Sequence, residues 1–414
     1  MKLRILFLTN RSPFPIIDGQ TRRTYNILKG LAARHDIHLL SLYQTPDEIA
    51  SEHVRHLESF CKSVEMVAAP SKSLSVEMAV RLFRSLFSLE PYTVWRHYSP
   101  LYLKRAVSAV KTFNIDLVHC DILSLAYTVS PLNGLPCTLT DHDVCYKRAF
   151  QMARQRKNPF EKMFLFLEGS KLKRLEARLF KQIDLGVAVS EQDKAELEKI
   201  CPGAVFKVVE NGVDTELFEP GPQIIEENTL LWIGGFGYYP NKEGIYYFLS
   251  EIYPKIKVKA PGVKLKIVGG GVTERLRAYA ADDASIEILG FVESPLPYLQ
   301  KAGVFVAPLL SGGGTKLKVL EAMSVGKAIV STSVGVEGIE GADKEHYLVA
   351  DTPDDFSEKV ADLLKNKAMR DFLGSNARTL AIQKYDWKNI WLKSDEIYQE
   401  LIRQIRSARS AKAL

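Results

Sequence analysis

Gly312-Gly313-Gly314-Thr315, followed by Lys318 and Glu321, is the densest run of ligand-binding chemistry in this 414-residue chain. Three glycines let backbone amides approach an anion with no Cβ in the way. Gly314, Lys318 and Glu321 are spaced i, i+4, i+7, so on a helix they share one face. That face offers the N–H groups and positive dipole of a helix start, then a cation, then a carboxylate. At 1.5 Å per residue Glu321 lies about 10 Å beyond Gly314. A ligand with a diphosphate at one end and a vicinal diol further along, such as a nucleotide sugar, fits those dimensions. A glycine-capped α/β helix with a solvated Lys/Glu pair fits the spacing as well.

The elements that must position these residues are legible. Apolar runs at 304–309 and 328–332 predict buried parallel strands on either side of the motif. Thr315 reads as the N-cap of the intervening helix, which should end near Gly326. The same strand-to-glycine ending recurs through the second half. Strand 230–233 runs into Gly234-Gly235-Phe236-Gly237 and a helix from about Lys242. Strand 264–268 runs into Gly269-Gly270-Gly271, and strand 285–289 into Gly290-Phe291-Val292. Gly235 would admit a diphosphate to the backbone, Lys242 would reach it, and the backbone at Phe291 and Val292 would hold a nucleobase.

In the first half, strand 3–9 leads through a proline-containing loop to Asp18-Gly19 and a helix from about 20 to 34. Strands near 37–43, 64–68, 115–120 and 137–140 follow, with helices at 47–60, 74–89, 100–112 and 122–130 between them. Strand 183–189, helix 191–200 and strand 205–209 complete the half. Alternation of this kind calls for a doubly wound parallel sheet, in which ligands bind outside the carboxyl ends of the strands. Two such ends carry chemistry: His119-Cys120-Asp121 and Asp141-His142-Asp143. An imidazole or a carboxylate there can orient or deprotonate a hydroxyl; polar strand ends and helix caps are the plainer alternative.

Composition narrows the class. Apolar residues make up 46% and charged residues 25%, as in ordinary globular proteins, so bulk disorder is excluded. The length suits two domains: 1–213, a linker at 214–227, 228–385, and a C-terminal helix at 386–414 that crosses back onto the first. The five cysteines are odd in number and lack CxxC spacing, which points to free thiols in a cytoplasmic, reducing compartment. MKLRILFLTN reads as a first strand, its apolar core being too short for a signal peptide. No spacing suggests metal ligands.

The net charge of +6 is unevenly placed. Residues 147–181 hold eleven Lys/Arg against three Glu, a local net of +8, interleaved with Phe160, Met163, Phe164 and Phe166. A basic, aromatic-bearing amphipathic stretch suits an anionic membrane surface, here the inner face of the plasma membrane. A core-packed helix with a solvated basic face would look the same. Nucleic acid is the poorer partner, because no nucleic-acid module is present and the rest of the chain is nearly neutral.

Taken together, WIGGFGYYPNKEG, KIVGGG, GFVES and GGGTKLKVLEAMSVGKAIVSTSVGVEGI, with the loop through Gly19 and NGVDTELFEP, resemble the retaining glycosyltransferases of family 4. The resemblance covers nearly the whole chain, and the GGGTKLKVLEAM wording resembles the branch from bacterial exopolysaccharide and lipopolysaccharide clusters. It implies the GT-B fold, two Rossmann-like doubly wound domains facing each other across a cleft. It also implies transfer of a sugar from a nucleoside diphosphate to a hydroxyl of a saccharide or lipid-linked acceptor, with no cofactor or metal. By position, Glu321 corresponds to the carboxylate on the donor ribose. Gly312 to Thr315, Gly235, Gly269, Gly270, Lys242 and Lys318 line the diphosphate and sugar, and Phe291 and Val292 flank the base. Gly19 closes over the phosphates. Asp121 stands at the usual catalytic position, with His142 as the second candidate.

Two departures are visible. The family's Glu-x7-Glu motif has Gly313 at its first position, and the usual Arg of the Arg/Lys pair falls at Gly235. A nucleotide-sugar epimerase and a non-catalytic sugar-nucleotide-binding protein are the competing functions. A dehydrogenase is disfavoured, since neither half carries G-x-G-x-x-G.

Overall fold

A computed structural model describes the chain apart from residues 71–75, 133, 222–224 and 414, and apart from the side chains at 76, 77, 409 and 411–413. The start of the helix expected at 74–89 therefore lies outside the described residues. The chain forms two compact units, Met1–Glu210 with Ile390–Leu414, and Asn211–Asn389.

The first unit holds strands β1 (Arg4–Thr9), β2 (Asp36–Tyr43), β3 (Ser63–Ala68), β4 (Leu117–Cys120), β5 (Cys137–Asp141), β6 (Leu185–Ala188) and β7 (Phe206–Val208). They make one sheet in the order β3-β2-β1-β4-β5-β6-β7, parallel throughout. The second unit holds β8 (Glu226–Ile233), β9 (Lys264–Val268), β10 (Ile286–Gly290), β11 (Ala302–Ala307), β12 (Ala328–Ser331) and β13 (Leu348–Val349). Its sheet runs β10-β9-β8-β11-β12-β13, also parallel. Strands β4, β5, β6, β11 and β12 are buried along their whole length, as expected of parallel strands covered on both faces. In each sheet the order reverses between the first and fourth strands. Ligand crevices in doubly wound sheets open at that reversal, here at the ends of β1 and β4 and of β8 and β11.

Three local expectations need correction, and one pairing was not anticipated. The helix placed near 122–130 is instead two short 3-10 turns, Leu123–Thr128 and Ser130–Leu132. The helix placed from Lys242 starts earlier, at Tyr239–Tyr247, with Pro240 in its first turn. Thr315 is not an N-cap: that helix runs Leu317–Ser324, and the Thr315 hydroxyl bonds the Gly338 carbonyl at 3.3 Å. The pairing of β12 with the two-residue β13 had no signal in the sequence, being too short for periodicity to show.

The segment expected as a linker is pinned at its start. Val213 donates its amide to the Tyr385 carbonyl at 2.7 Å, and the Thr215 hydroxyl bonds the Asp386 carboxylate. The helix Trp387–Ala413 belongs to the first unit from Ile390 onward. A Cβ at Gly30 would fall 2.1 Å from the Trp391 ring, so only glycine lets the indole seat on helix Gly19–Ala32.

Candidate functional site

In the second unit the crevice at β8 and β11 collects most of the residues singled out in the sequence. Gly312 (φ 110°) and Gly314 (φ 68°) take conformations that L side chains rarely adopt. Their turn leaves the amides of Gly312, Gly313 and Gly314 with no acceptor among the described residues. Lys316 turns back on this loop and donates to the carbonyls of Gly312, Gly313 and Gly314 at 3.0, 3.2 and 2.6 Å. The carbonyls are thereby occupied by a cation while the amides stay free, which is the polarity an anion requires.

Lys318 lies one turn on. Its Nζ donates to Asn241 Oδ1 at 2.8 Å and sits 5.0 Å from the centroid of the Trp232 ring. Burial, assisted by the Lys316 charge, pushes the Lys318 ammonium down to about 7. Among the described residues no carboxylate bonds it, so an incoming phosphate would supply a counter-charge. Asn241 also donates to the Gly235 carbonyl at 2.9 Å, which ties the β8 loop to Lys318. Lys242, expected to reach the diphosphate, follows Asn241 on the same helix; it is part-buried, and its side chain has no bonded partner among the described residues.

The neighbouring strand ends are knit together by backbone bonds. Gly234 donates to the Val268 carbonyl, Phe236 to Gly270, and Gly269 to Gly290. A Cβ at Gly269 would fall 2.0 Å from the Gly234 carbonyl oxygen, so glycine there serves the close approach of two loops. Gly235 is exposed, with open space where a Cβ would be. Phe291 is 80% exposed beside Gly270, and Val292 is part-buried. Glu321 is buried on helix Leu317–Ser324, as is Thr315 in the preceding loop.

In the first unit, β4 and β5 bring Asp121 and His142 together. Asp121 is buried and saturated: Thr24 donates its hydroxyl to Oδ2 at 2.6 Å, and His119 Nε2 lies 3.4 Å from Oδ1. Burial alone would raise the Asp121 carboxyl. His142 and His119 together outweigh it and hold the group well below the usual carboxylate range. The ring of His119 is in turn fixed at Nδ1 by the Tyr398 hydroxyl at 2.6 Å. Tyr398 comes from the C-terminal helix and was not anticipated, because nothing in spacing connects residues so distant in the chain.

His142 donates through Nε2 to the Asp121 carbonyl oxygen at 2.7 Å, since a carbonyl can only accept. In the neutral ring the lone pair is then on Nδ1, and the side chain is 17% exposed. Asp121 is thus spent on internal bonds, whereas His142 keeps a free proton acceptor. Gly19 opens helix Gly19–Ala32 and is exposed. The amide of Thr21 is capped by Asp18 at 2.9 Å, and Arg11 pairs with the same carboxylate at 2.7 Å.

Comparison with known proteins agrees with this layout. Residues 17–217 match the family model described as Glycosyltransferase Family 4, and residues 227–366 that described as Glycosyl transferases group 1. A 44.6 kDa protein of the cps region of Klebsiella pneumoniae, itself uncharacterised, is 24% identical over 405 residues, covering 94% of this chain and 98% of that one. A phosphatidyl-myo-inositol mannosyltransferase of Mycobacterium tuberculosis is 26% identical over 204 residues, 46% of this chain and 53% of the relative, about half its length. HepE of Anabaena, solved in complex with UDP, superimposes with a TM-score of 0.69 at 14% identity, covering 97% of this chain and all of that one. Both halves of the chain thus match, in sequence and in fold, one class of enzyme: it belongs to the family-4 glycosyltransferases and has their GT-B fold of two Rossmann-like domains.

Proposed function

We propose that the enzyme moves a sugar from a nucleoside-diphosphate sugar to a hydroxyl of a saccharide or lipid-linked acceptor in bacterial surface polysaccharide synthesis, with retention at the anomeric carbon. The observation that carries this reading is the pairing of free Gly312–Gly314 amides with a desolvated Lys318 that no carboxylate neutralises. As the glycosidic bond breaks, negative charge builds on the leaving diphosphate. Fixed amides and a cation aimed at that charge stabilise the transition state more than the ground state. Glu321 takes the ribose hydroxyls, Phe291 offers its exposed ring to the base, and Gly235, Gly269 and Gly270 let the backbone close on the phosphates. With this cluster to hold the charge, no metal is needed.

On the acceptor side His142 orients and deprotonates the incoming hydroxyl through Nδ1, and Asp121 is the positioning residue that holds the imidazole. The cps-region relative and the UDP complex of HepE support the polysaccharide role and the nucleotide donor. Donor binding without transfer is a second reading, favoured by Gly313, which offers no carboxylate to the transferred sugar. A panel of nucleoside-diphosphate sugars incubated with bacterial lipid and glycan acceptors separates them. Release of nucleoside diphosphate only when an acceptor is present supports transfer. Release of free sugar without acceptor indicates an epimerase or hydrolase, and binding without release favours the non-catalytic reading.

The lipid-linked acceptor draws support from the first unit's surface. The basic stretch forms helices Cys145–Gln155 and Pro159–Leu179, and the second exposes Phe160, Met163 and Leu167 on one stripe. No helix among the described residues is long and apolar enough to cross a membrane. Flotation with anionic vesicles tests surface docking, and failure to co-float at low salt counts against it.

A further inference from the structure

Helix Val76–Phe87 carries a second apolar stripe, Val80, Phe83 and Phe87, with the two phenylalanine rings 5.0 Å apart and both well exposed. Leu89, just beyond it, is 75% exposed. Single exposed apolar residues need no explanation, but a contiguous aromatic stripe on a basic unit does. Two sets of bonds lock this region to helix Pro159–Leu179. Lys171 donates to the Ser85 carbonyl, and Glu168 accepts from the amides of Tyr92 and Thr93 at 2.8 Å each. The segments that carry the two exposed stripes are therefore bonded to one another within the first unit.

Behind that surface lies a pocket of about 470 Å³, within the size range that takes small ligands. Val94, Trp95, Tyr98, Tyr127, Leu175 and Leu179 line it, together with the polar Glu90, Ser130, Arg178 and Gln182. Arg81 donates to the carbonyls of Trp95 and Tyr98 at 2.7 and 2.9 Å, so the helix bearing the exposed stripe also braces the pocket wall. Among the charged groups, Arg178 lines the same pocket and pairs with Glu90.

We infer that this pocket binds the apolar chain of a membrane lipid, with a headgroup phosphate beside Arg178. Three observations select that occupant. Seven of the eleven lining residues are apolar or aromatic and the charged Arg178 stands among them, which suits a chain with a polar head. Phe87 and Leu89, close in sequence to Glu90 of the lining, are exposed and lie on or next to an aromatic stripe of the kind that enters the acyl boundary of a bilayer. The surrounding helices are strongly basic, which complements anionic headgroups. The inference rests on the reading of the acceptor as lipid-linked, and gives that acceptor's chain a place on the enzyme separate from the residues that handle its hydroxyl.

The test uses the full-length enzyme and a long-chain alkyl phosphate carrying a photoreactive diazirine, without any bilayer. Irradiation should label peptides containing Trp95, Tyr98, Tyr127 or Leu175, and unlabelled alkyl phosphate should compete. Ser130→Trp fills the pocket from an exposed position on its lining and should reduce labelling about tenfold or more, as expected when burial of an apolar chain is lost. Arg178→Gln keeps the apolar wall but deletes the cation, and should weaken competition by the alkyl phosphate more than competition by the plain alkane. Labelling spread elsewhere, or undiminished in a Ser130→Trp variant whose melting curve matches wild type, overturns the pocket. Vesicle flotation of wild type and Phe83→Asp/Phe87→Asp is scored separately. Pocket labelling without flotation supports the pocket and removes the membrane reading; flotation without pocket labelling overturns the pocket alone.

Discussion

Asn241 holds Lys318 and the Gly235 loop at once: its Oδ1 accepts from the lysine ammonium at 2.8 Å, and its Nδ2 donates to the Gly235 carbonyl at 2.9 Å. One short amide thereby fixes the cation against the backbone that is to receive the donor phosphates. Asn241→Ala removes both bonds while leaving the helix start, set by Pro240, intact. Donor affinity should fall about tenfold, the scale of a lost hydrogen bond to a charged group. Titration calorimetry with nucleoside diphosphates reads it, and an unchanged affinity would show that Lys318 needs no anchor.

Donor binding should depend on pH through Lys318. In the free enzyme burial lowers its ammonium to about 7, so above that value the free side chain is increasingly neutral. A bound diphosphate favours the charged form, and binding above pH 7 must therefore take up a proton. Affinity should be flat below pH 7 and fall by up to about tenfold per unit above it. Lys318→Met should flatten the dependence and bind weakly throughout.

His142→Ala should lower kcat by about a hundredfold to ten-thousandfold, the range for loss of a positioned acid or base, with donor affinity unchanged. Asp121→Asn keeps the size of the side chain but weakens its hold on His119 and His142. It should lower kcat less than His142→Ala, because the imidazole that accepts the proton is still present. Equal losses in the two variants would assign the proton transfer to Asp121 itself.

A second titration sits one residue from His142. Asp141 and Glu176 are both buried, and burial pushes the Glu176 carboxyl up to about 8 although it accepts from the Cys145 amide. In the unfolded chain the same group titrates near its ordinary value of 4.5. Between those values the folded state keeps a proton that the unfolded state releases, so stability should fall as pH rises through the window and level off above about 8. Glu176→Gln supplies a permanent amide in place of the protonated carboxyl, and urea denaturation should show a flatter pH dependence across that window. Identical slopes in wild type and variant would place the proton elsewhere.

The parallel sheets were readable because buried strands are continuous apolar runs, and the candidate donor site was proposed where glycines cluster at the ends of those runs. Helix phase was harder to read. The helix expected from about Lys242 begins at Tyr239, and Asn241 in its first turn bonds Lys318. Likewise Lys316 folds back onto three carbonyls and delays the next helix to Leu317, which no propensity signals. Contacts made across the sequence, such as Tyr398 on His119, follow from packing of the last helix and leave no local trace.

Glu321 is the residue on which the donor site turns, buried on the helix that follows the glycine loop. Calorimetric titration of wild type and Glu321→Ala with nucleoside diphosphates is the most direct test of that site. Saturable binding to wild type, weakened about tenfold or more in a variant with an unchanged melting curve, is the predicted result. Equal binding by the two proteins, or none by wild type, would contradict it.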